Sequence, residues 1–219
     1  MSKRFLLSTL LLCGALSTCT VLPERVPTDL YQLPPSTLRA NSDGQTLRGL
    51  RIDTPTTSDA LGGSRVLVMP GNNSFQAYPD ARWSAPTALL WRDWLLDAFW
   101  RDGRVSALST SSDGLQATLE LGGMLRALHH ENLQGLSLAV IRYDANLIEA
   151  GSRNILASRR FEVSEPVSGN GVNAVVSALG IAADRLAADL ILWTVQQGQQ
   201  QGQQQGQQQQ EAQPRAVQP

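Results

Sequence analysis

Two places in this chain carry side chains with chemistry of their own: Cys19 near the start, and the adjacent pair His129 and His130 in the middle. Cys19 closes the run Leu16-Ser17-Thr18-Cys19, which has the form of a bacterial lipobox. In that motif small residues lead to a cysteine whose thiol is diacylated before the preceding peptide bond is cut. Lys3 and Arg4 supply the positive start, and residues 5–16 supply an apolar run interrupted only by Ser8, Thr9 and Gly14. The run is shorter than the roughly 18–20 apolar residues of a membrane-spanning helix. Residues 1–18 therefore read as a signal peptide, and Cys19 as the lipidated first residue of the mature chain. An ordinary secretory signal is the alternative, since Thr18 stands where Gly, Ala or Ser is usual. Cys13 fits less well, because Leu10, Leu11 and Leu12 are too large for a cleavage site.

The two histidines are a poor start for catalysis. On a strand, neighbouring side chains point to opposite faces and cannot converge on one metal or substrate. They read as structural or surface groups. No G-x-S-x-G elbow accompanies the plentiful Ser and Asp, so a Ser-His-Asp hydrolase has no specific support. Lys3 is the only lysine, which removes P-loop, Schiff-base and general-base lysines from the mature chain. Cys13 and Cys19 are the only cysteines, so an intrachain disulfide, a CxxC pair and a cysteine zinc site are excluded as well. No catalytic residue, metal site or cofactor is expected. Formal charge moves only from −1 to about −3 when Lys3 and Arg4 are removed, and no basic run stands out. Nucleic acid is therefore not an expected partner.

The elements that would position any site follow from periodicity. Residues 19–45, rich in Pro, Thr, Ser and Asp, read as a lipidated tether that contains a first edge strand at Tyr31-Gln32-Leu33. Residues 46–195 read as one α+β domain, with strands near 47–52, 65–69, 105–108, 115–129, 136–144 and 155–163. Residues 131–135 read as the turn between the two longest of these strands. Residues 83–101 carry Leu90, Trp91, Trp94, Leu95, Ala98 and Phe99 at helical spacing, with Ser84 as a possible cap, Pro86 in the first turn and Gly103 as the stop. Residues 172–195 form a second amphipathic helix whose stripe runs from Val172 to Trp193. Strand runs flanked by two helices predict a mainly antiparallel sheet with two amphipathic helices packed on it. The Gln- and Gly-rich residues 196–219 have almost nothing to bury and are expected to be disordered.

One stretch resembles a known family. Ala60 to Pro70, followed by Tyr78-Pro79-Asp80-Ala81-Arg82-Trp83-Ser84-Ala85-Pro86, is similar to the ABC-type transport auxiliary lipoproteins. Their pattern runs from a lipobox through a short Tyr-x-Leu strand and an apolar strand to a Y-P-x-x-R-W-like segment that opens a helix. A β meander and an Ala-rich helix complete it. The resemblance implies a non-enzymatic component beside a membrane transporter. Its implied partners are an MCE-type lipid-carrying protein and inner-membrane transporter components. It further implies attachment through the lipid anchor to the periplasmic face of the outer membrane, with homo-oligomers possible; Thr20 after Cys19 is not the aspartate that retains lipoproteins at the inner membrane. Tyr78, Pro79, Arg82 and Trp83 are expected to scaffold the fold, with Pro79 setting a bend, Arg82 bonded to loop carbonyls or laid over a ring, and Trp83 under the helix. Trp91 and Trp94 could line a groove or partner surface, although such a stripe is more often core. A lipid-holding shuttle and an envelope hydrolase are the competing functions.

Overall fold

A computed structural model describes residues 27–41, 47–71 and 73–212; the signal peptide, Cys19 and the end of the chain lie outside the described residues. In chain order the elements are β1 (Asp29–Tyr31), β2 (Leu50–Ile52), β3 (Thr56–Thr57), β4 (Arg65–Met69), β5 (Gln76–Trp83) and α1 (Thr87–Asp102). They continue as β6 (Leu108–Thr110), β7 (Leu119–Leu133), β8 (Leu136–Glu149), β9 (Ile155–Pro166) and α2 (Gly171–Ala212).

The alternating patterns of residues 115–166 build an antiparallel meander, β7–β8–β9, that forms most of a nine-stranded sheet. The turn between β7 and β8 is only two residues long. Gln134 (φ 51°) and Gly135 (φ 87°) both sit in the left-handed region, as a type I′ hairpin requires. The other edge of β7 is tiled by β2, β3 and β4, all parallel to it. β5 pairs antiparallel with β4, and β1 closes that side as a parallel edge strand. The α+β expectation holds, with a mainly antiparallel sheet and two helices.

Both helices contribute to one core with the inner row of the meander. Leu121, Leu125, Leu128, Ile141, Tyr143 and Leu147 meet Leu179, Leu186 and Leu190 of α2 and Trp91, Leu95 and Phe99 of α1. Ala178, Ala182, Ala183 and Ala187 are buried along α2, and such small residues let a helix lie close to its neighbours. α1 ends as expected at Gly103 (φ 76°), whose N–H donates to the Phe99 carbonyl at 3.2 Å. It begins later than the periodicity suggests. Ser84 is no cap, and Pro86 holds the N-cap position, because β5 runs to Trp83, whose N–H donates to Ser64 O at 2.7 Å.

Two expectations need correction. Part of the proposed tether is bound to the domain: Leu33 and Ser36 are buried, Ser36 Oγ donates to Asp184 at 2.6 Å, and Trp94 Nε1 donates to the Pro34 carbonyl at 2.7 Å. This strap crosses α2 at Gly180, where a Cβ would lie 2.7 Å from Pro34 Cγ. Residues 196–212, expected to be disordered, continue α2 as helix. Glutamine is a good helix former, and the packed stem at 171–195 already supplies the nucleus that an isolated tract would lack. Gly198 then lies against Leu47 and Leu119, the nearest contact to its missing Cβ being 2.7 Å.

Gly180→Ala should force the Pro34 ring outward and cost about 1–3 kcal/mol, the usual range for overpacking. Circular dichroism melting would then show a drop of several degrees. Truncation after Val195 should uncover Leu47 and Leu119 and lower the midpoint by a few degrees. Truncation after Gly202 should leave it within about a degree, since most of the tract beyond is exposed.

Candidate functional site

The family-like segment is a strand, β5, and not the loop that opens a helix. Pro79 lies where the β4–β5 register shifts, between the pairs Arg65↔Arg82 and Leu67↔Ala77, a place where its missing N–H disrupts no ladder bond. Trp83 is 2 % exposed, so its ring is core as expected. Arg82 is exposed and stands across the ladder from Arg65, in place of the expected seat on loop carbonyls or a ring. Trp91 and Trp94 are also core, at 0 % and 6 % exposure. Their rings stack at 5.7 Å, and Trp91 meets Tyr143 edge-on at 6.1 Å. They line no open groove together. A cavity of about 220 Å³ lies beside Trp94, bordered by Leu33, Ser84 and Leu90, and is smaller than a long lipid acyl chain.

Tyr78, His130 and Ser137 form a polar chain at one end of the sheet, and His129 has partners of its own. The two imidazoles alternate across β7 and have separate partners. His130 Nδ1 is 2.9 Å from Tyr78 Oη, and its Nε2 is 2.8 Å from Ser137 Oγ. His129 Nε2 is 3.1 Å from Glu131 Oε1, and its ring meets Phe75 edge-on at 5.1 Å. Burial holds both imidazoles below the ordinary histidine value, against the pull of Glu131 on His129. The hydrolase reading asked for a histidine near a serine in a pocket. His130 and Ser137 meet the first condition, but none of the described cavities is lined by either residue.

Charged residues on the outer face were missed by sequence reasoning. Glu120 is 1 % exposed and receives Arg51 and, at 2.6 Å, Arg153. Asp53 lies beside this carboxylate, and burial and Glu120 together raise its pKa. Further along the same face, Asp144 accepts from Arg126 and Arg160, while Arg142 donates to Glu162. The strand register brings these groups together: Asp144 faces Arg160, and Arg142 faces Glu162. The available signal was charge at alternate positions in two consecutive strands, β8 and β9.

Apolar side chains gather at the hairpin end of that face. Phe75, Leu133 and Leu136 are 41 %, 37 % and 63 % exposed. Leu133 and Leu136 are cross-strand partners flanking the turn.

The family model for the ABC-type transport auxiliary lipoprotein component matches residues 31–191. The chain belongs to this family. The match covers every element from the end of β1 into α2, so the auxiliary lipoprotein domain is the whole packed unit described above. A protein from Xanthomonas campestris, XCC0632, is 24% identical, with a TM-score of 0.73 over 80% of this chain and 99% of its own. An uncharacterized protein of known structure is 16% identical, with a TM-score of 0.59 over 76% of this chain and 97% of its own. Both are likenesses of fold. No curated protein sequence matches the chain. Among the described residues no helix is long and apolar enough to cross a membrane.

The buried imidazoles make stability depend on pH with a definite sign. Their folded-state pKa values lie below the unfolded value of about 6.5, so the unfolded chain takes up protons first as pH falls. Stability should therefore be constant above about pH 7.5 and decline as pH drops through 6.5 toward the lower folded values. Thermal midpoints measured from pH 7.5 to 5.5 should show this decline, and H129N/H130N should flatten it.

Proposed function

We propose that this auxiliary lipoprotein is a non-enzymatic docking component of an ABC/MCE-type transport system. In this reading Cys19 carries the lipid anchor and holds the domain at the periplasmic face of the outer membrane. The MCE-type lipid-carrying protein is its partner, and the inner-membrane components hydrolyse ATP. The observation that carries the reading is the family match across residues 31–191. The exposed end formed by Phe75, Leu133 and Leu136 supports it, because docking surfaces draw on a few apolar anchors surrounded by polar residues. The shuttle alternative loses its motivation, since Trp91 and Trp94 are spent on the core.

Co-purification with an MCE-type protein of the same cell tests this. The full chain should capture that protein, and L133E/L136E should reduce capture at least ten-fold while leaving the circular dichroism spectrum unchanged. Failure of the unmodified chain to capture any MCE-type partner would refute the reading. Undiminished capture by the double variant would move the interface elsewhere on the domain.

A further inference from the structure

The outer face of the sheet contains a groove of about 690 Å³ whose shape depends on two irregularities in β7. The first is Gly123, with φ at 139°, where a Cβ would fall 1.9 Å from the Asp144 carbonyl oxygen. No other residue fits there, and glycine in a strand interior often marks a place that something must approach closely. The second is the register shift between Leu125 and Ala127, which makes Arg126 an extra residue in the strand. Bulges of this kind re-aim a side chain. Here the re-aimed side chain is Arg126, whose guanidinium reaches Asp144 on β8.

Asp144 also holds Arg160 from β9, with Nε at 2.5 Å and Nη2 at 2.9 Å. One carboxylate thus keeps two guanidiniums side by side at the groove. Each guanidinium has five N–H donors, and Asp144 occupies the lesser part of them. Arg126 and Arg160 are 43% and 56% exposed, so their remaining donors face solvent. Neutral partners line the same hollow. Ser158 Oγ donates to Asn146 Oδ1 at 2.7 Å, which leaves the Asn146 amide group as a donor. Thr56 borders the other side, its hydroxyl 3.3 Å from the Gly123 carbonyl. Arg159 lies at the rim, its guanidinium 4.8 Å above the Phe161 ring. The two guanidiniums exceed the single carboxylate in charge, and their planar forks match the oxygens of a phosphate group.

We propose that this groove binds a phosphate group through Arg126 and Arg160, with the Asn146 amide completing the contacts and Ser158 fixing the orientation of that amide. Gly123 itself is required by the β8 backbone at Asp144, which passes closest to β7 there, and the hollow opens beside that close approach. The groove shares no residue with the apolar hairpin end, so this site stands or falls separately from the docking reading. A phosphate can come from a phospholipid headgroup or from a soluble ester, and the groove chemistry is the same for both.

The test uses the full chain with two probes at low ionic strength: inorganic phosphate by calorimetry, and vesicles of phosphatidylcholine with or without phosphatidylglycerol by co-sedimentation. The expected result is binding of at least one phosphate-bearing anionic probe, weakened ten-fold or more in R126Q/R160Q. N146A keeps the arginine–aspartate cluster intact and should weaken binding several-fold, which separates loss of the site from loss of the fold. Phosphatidylglycerol vesicles that bind and are not displaced by inorganic phosphate identify a headgroup as the source; binding of phosphate alone identifies a soluble ester. Absence of binding to both probes, equal affinity in R126Q/R160Q, or binding to pure phosphatidylcholine vesicles that is undiminished in R126Q/R160Q overturns the proposal.

Discussion

Everything in this fold registers on one strand. β7 has its full length paired antiparallel with β8 on one side, and three short parallel strands share its other edge. A buried backbone must find partners for each N–H and C=O, and β7 finds them in four separate segments of the chain. The segments that supply β2, β3 and β4 are short, and each is stable only where β7 offers an edge. The hydrophobic effect then acts on what the ladder has aligned. Inner-facing Leu121, Leu125 and Leu128 of β7 lie beside Ile141, Tyr143 and Leu147 of β8, and α2 and α1 join them in the same core. Each such side chain contributes about 1.5–3 kcal/mol when fully buried, so register and burial reinforce one another.

Placing the helices on the inner row leaves the outer row of β7, β8 and β9 to meet water. That row is where the arginines and carboxylates stand, in cross-strand pairs that satisfy charge without deep burial. Glu120 is the exception. A carboxylate at 1 % exposure is tolerated because Arg51 and Arg153 both reach it. Removing one partner from such a group costs far more than a surface ion pair contributes. Arg153 sits in the β8–β9 loop in a left-handed conformation (φ 62°), with its N–H bonded to Glu149 O at 2.8 Å. The loop geometry and the buried charge therefore depend on each other.

How much of this was readable from the chain depends on whether the cause was local. The long hairpin, the stripe on α2, the stop at Gly103 and the core role of Trp91 and Trp94 follow from period and turn chemistry, which act over a few residues. The strand around Pro79 was not legible for a physical reason: a proline usually interrupts a strand, and the β4–β5 register shift makes room for it here. The strap at residues 29–41 has a loop's composition, yet its fit against Gly180 and Trp94 comes from residues far along the chain. The helical glutamine tract is likewise a consequence of the stem before it. Arg126 was beyond reach because a bulge alters side-chain direction without leaving a distinctive composition. Charges at alternate positions were visible, but their meeting required the register.

The Tyr78–His130–Ser137 chain links a phenol, a buried imidazole and a hydroxyl across three strands. In a serine nucleophile system the base passes through an imidazolium, which a carboxylate behind the ring stabilises. Here a phenol occupies that place, 2.9 Å from Nδ1, and burial favours the neutral ring. A hydroxyl on each side satisfies both nitrogens of a neutral imidazole at the end of a core, which is what a buried polar group requires. The same geometry ties β5 to β7 and β8 through side chains, beyond the reach of the β4 ladder. Tyr78 thus belongs to the family-like motif for a reason parallel to that of Trp83. One joins strands by a polar relay, and the other fills the space beneath the sheet. In this chain Tyr78 and Trp83 thus hold β5 to the rest of the sheet and core, while the hairpin end and the outer row stay open to solvent.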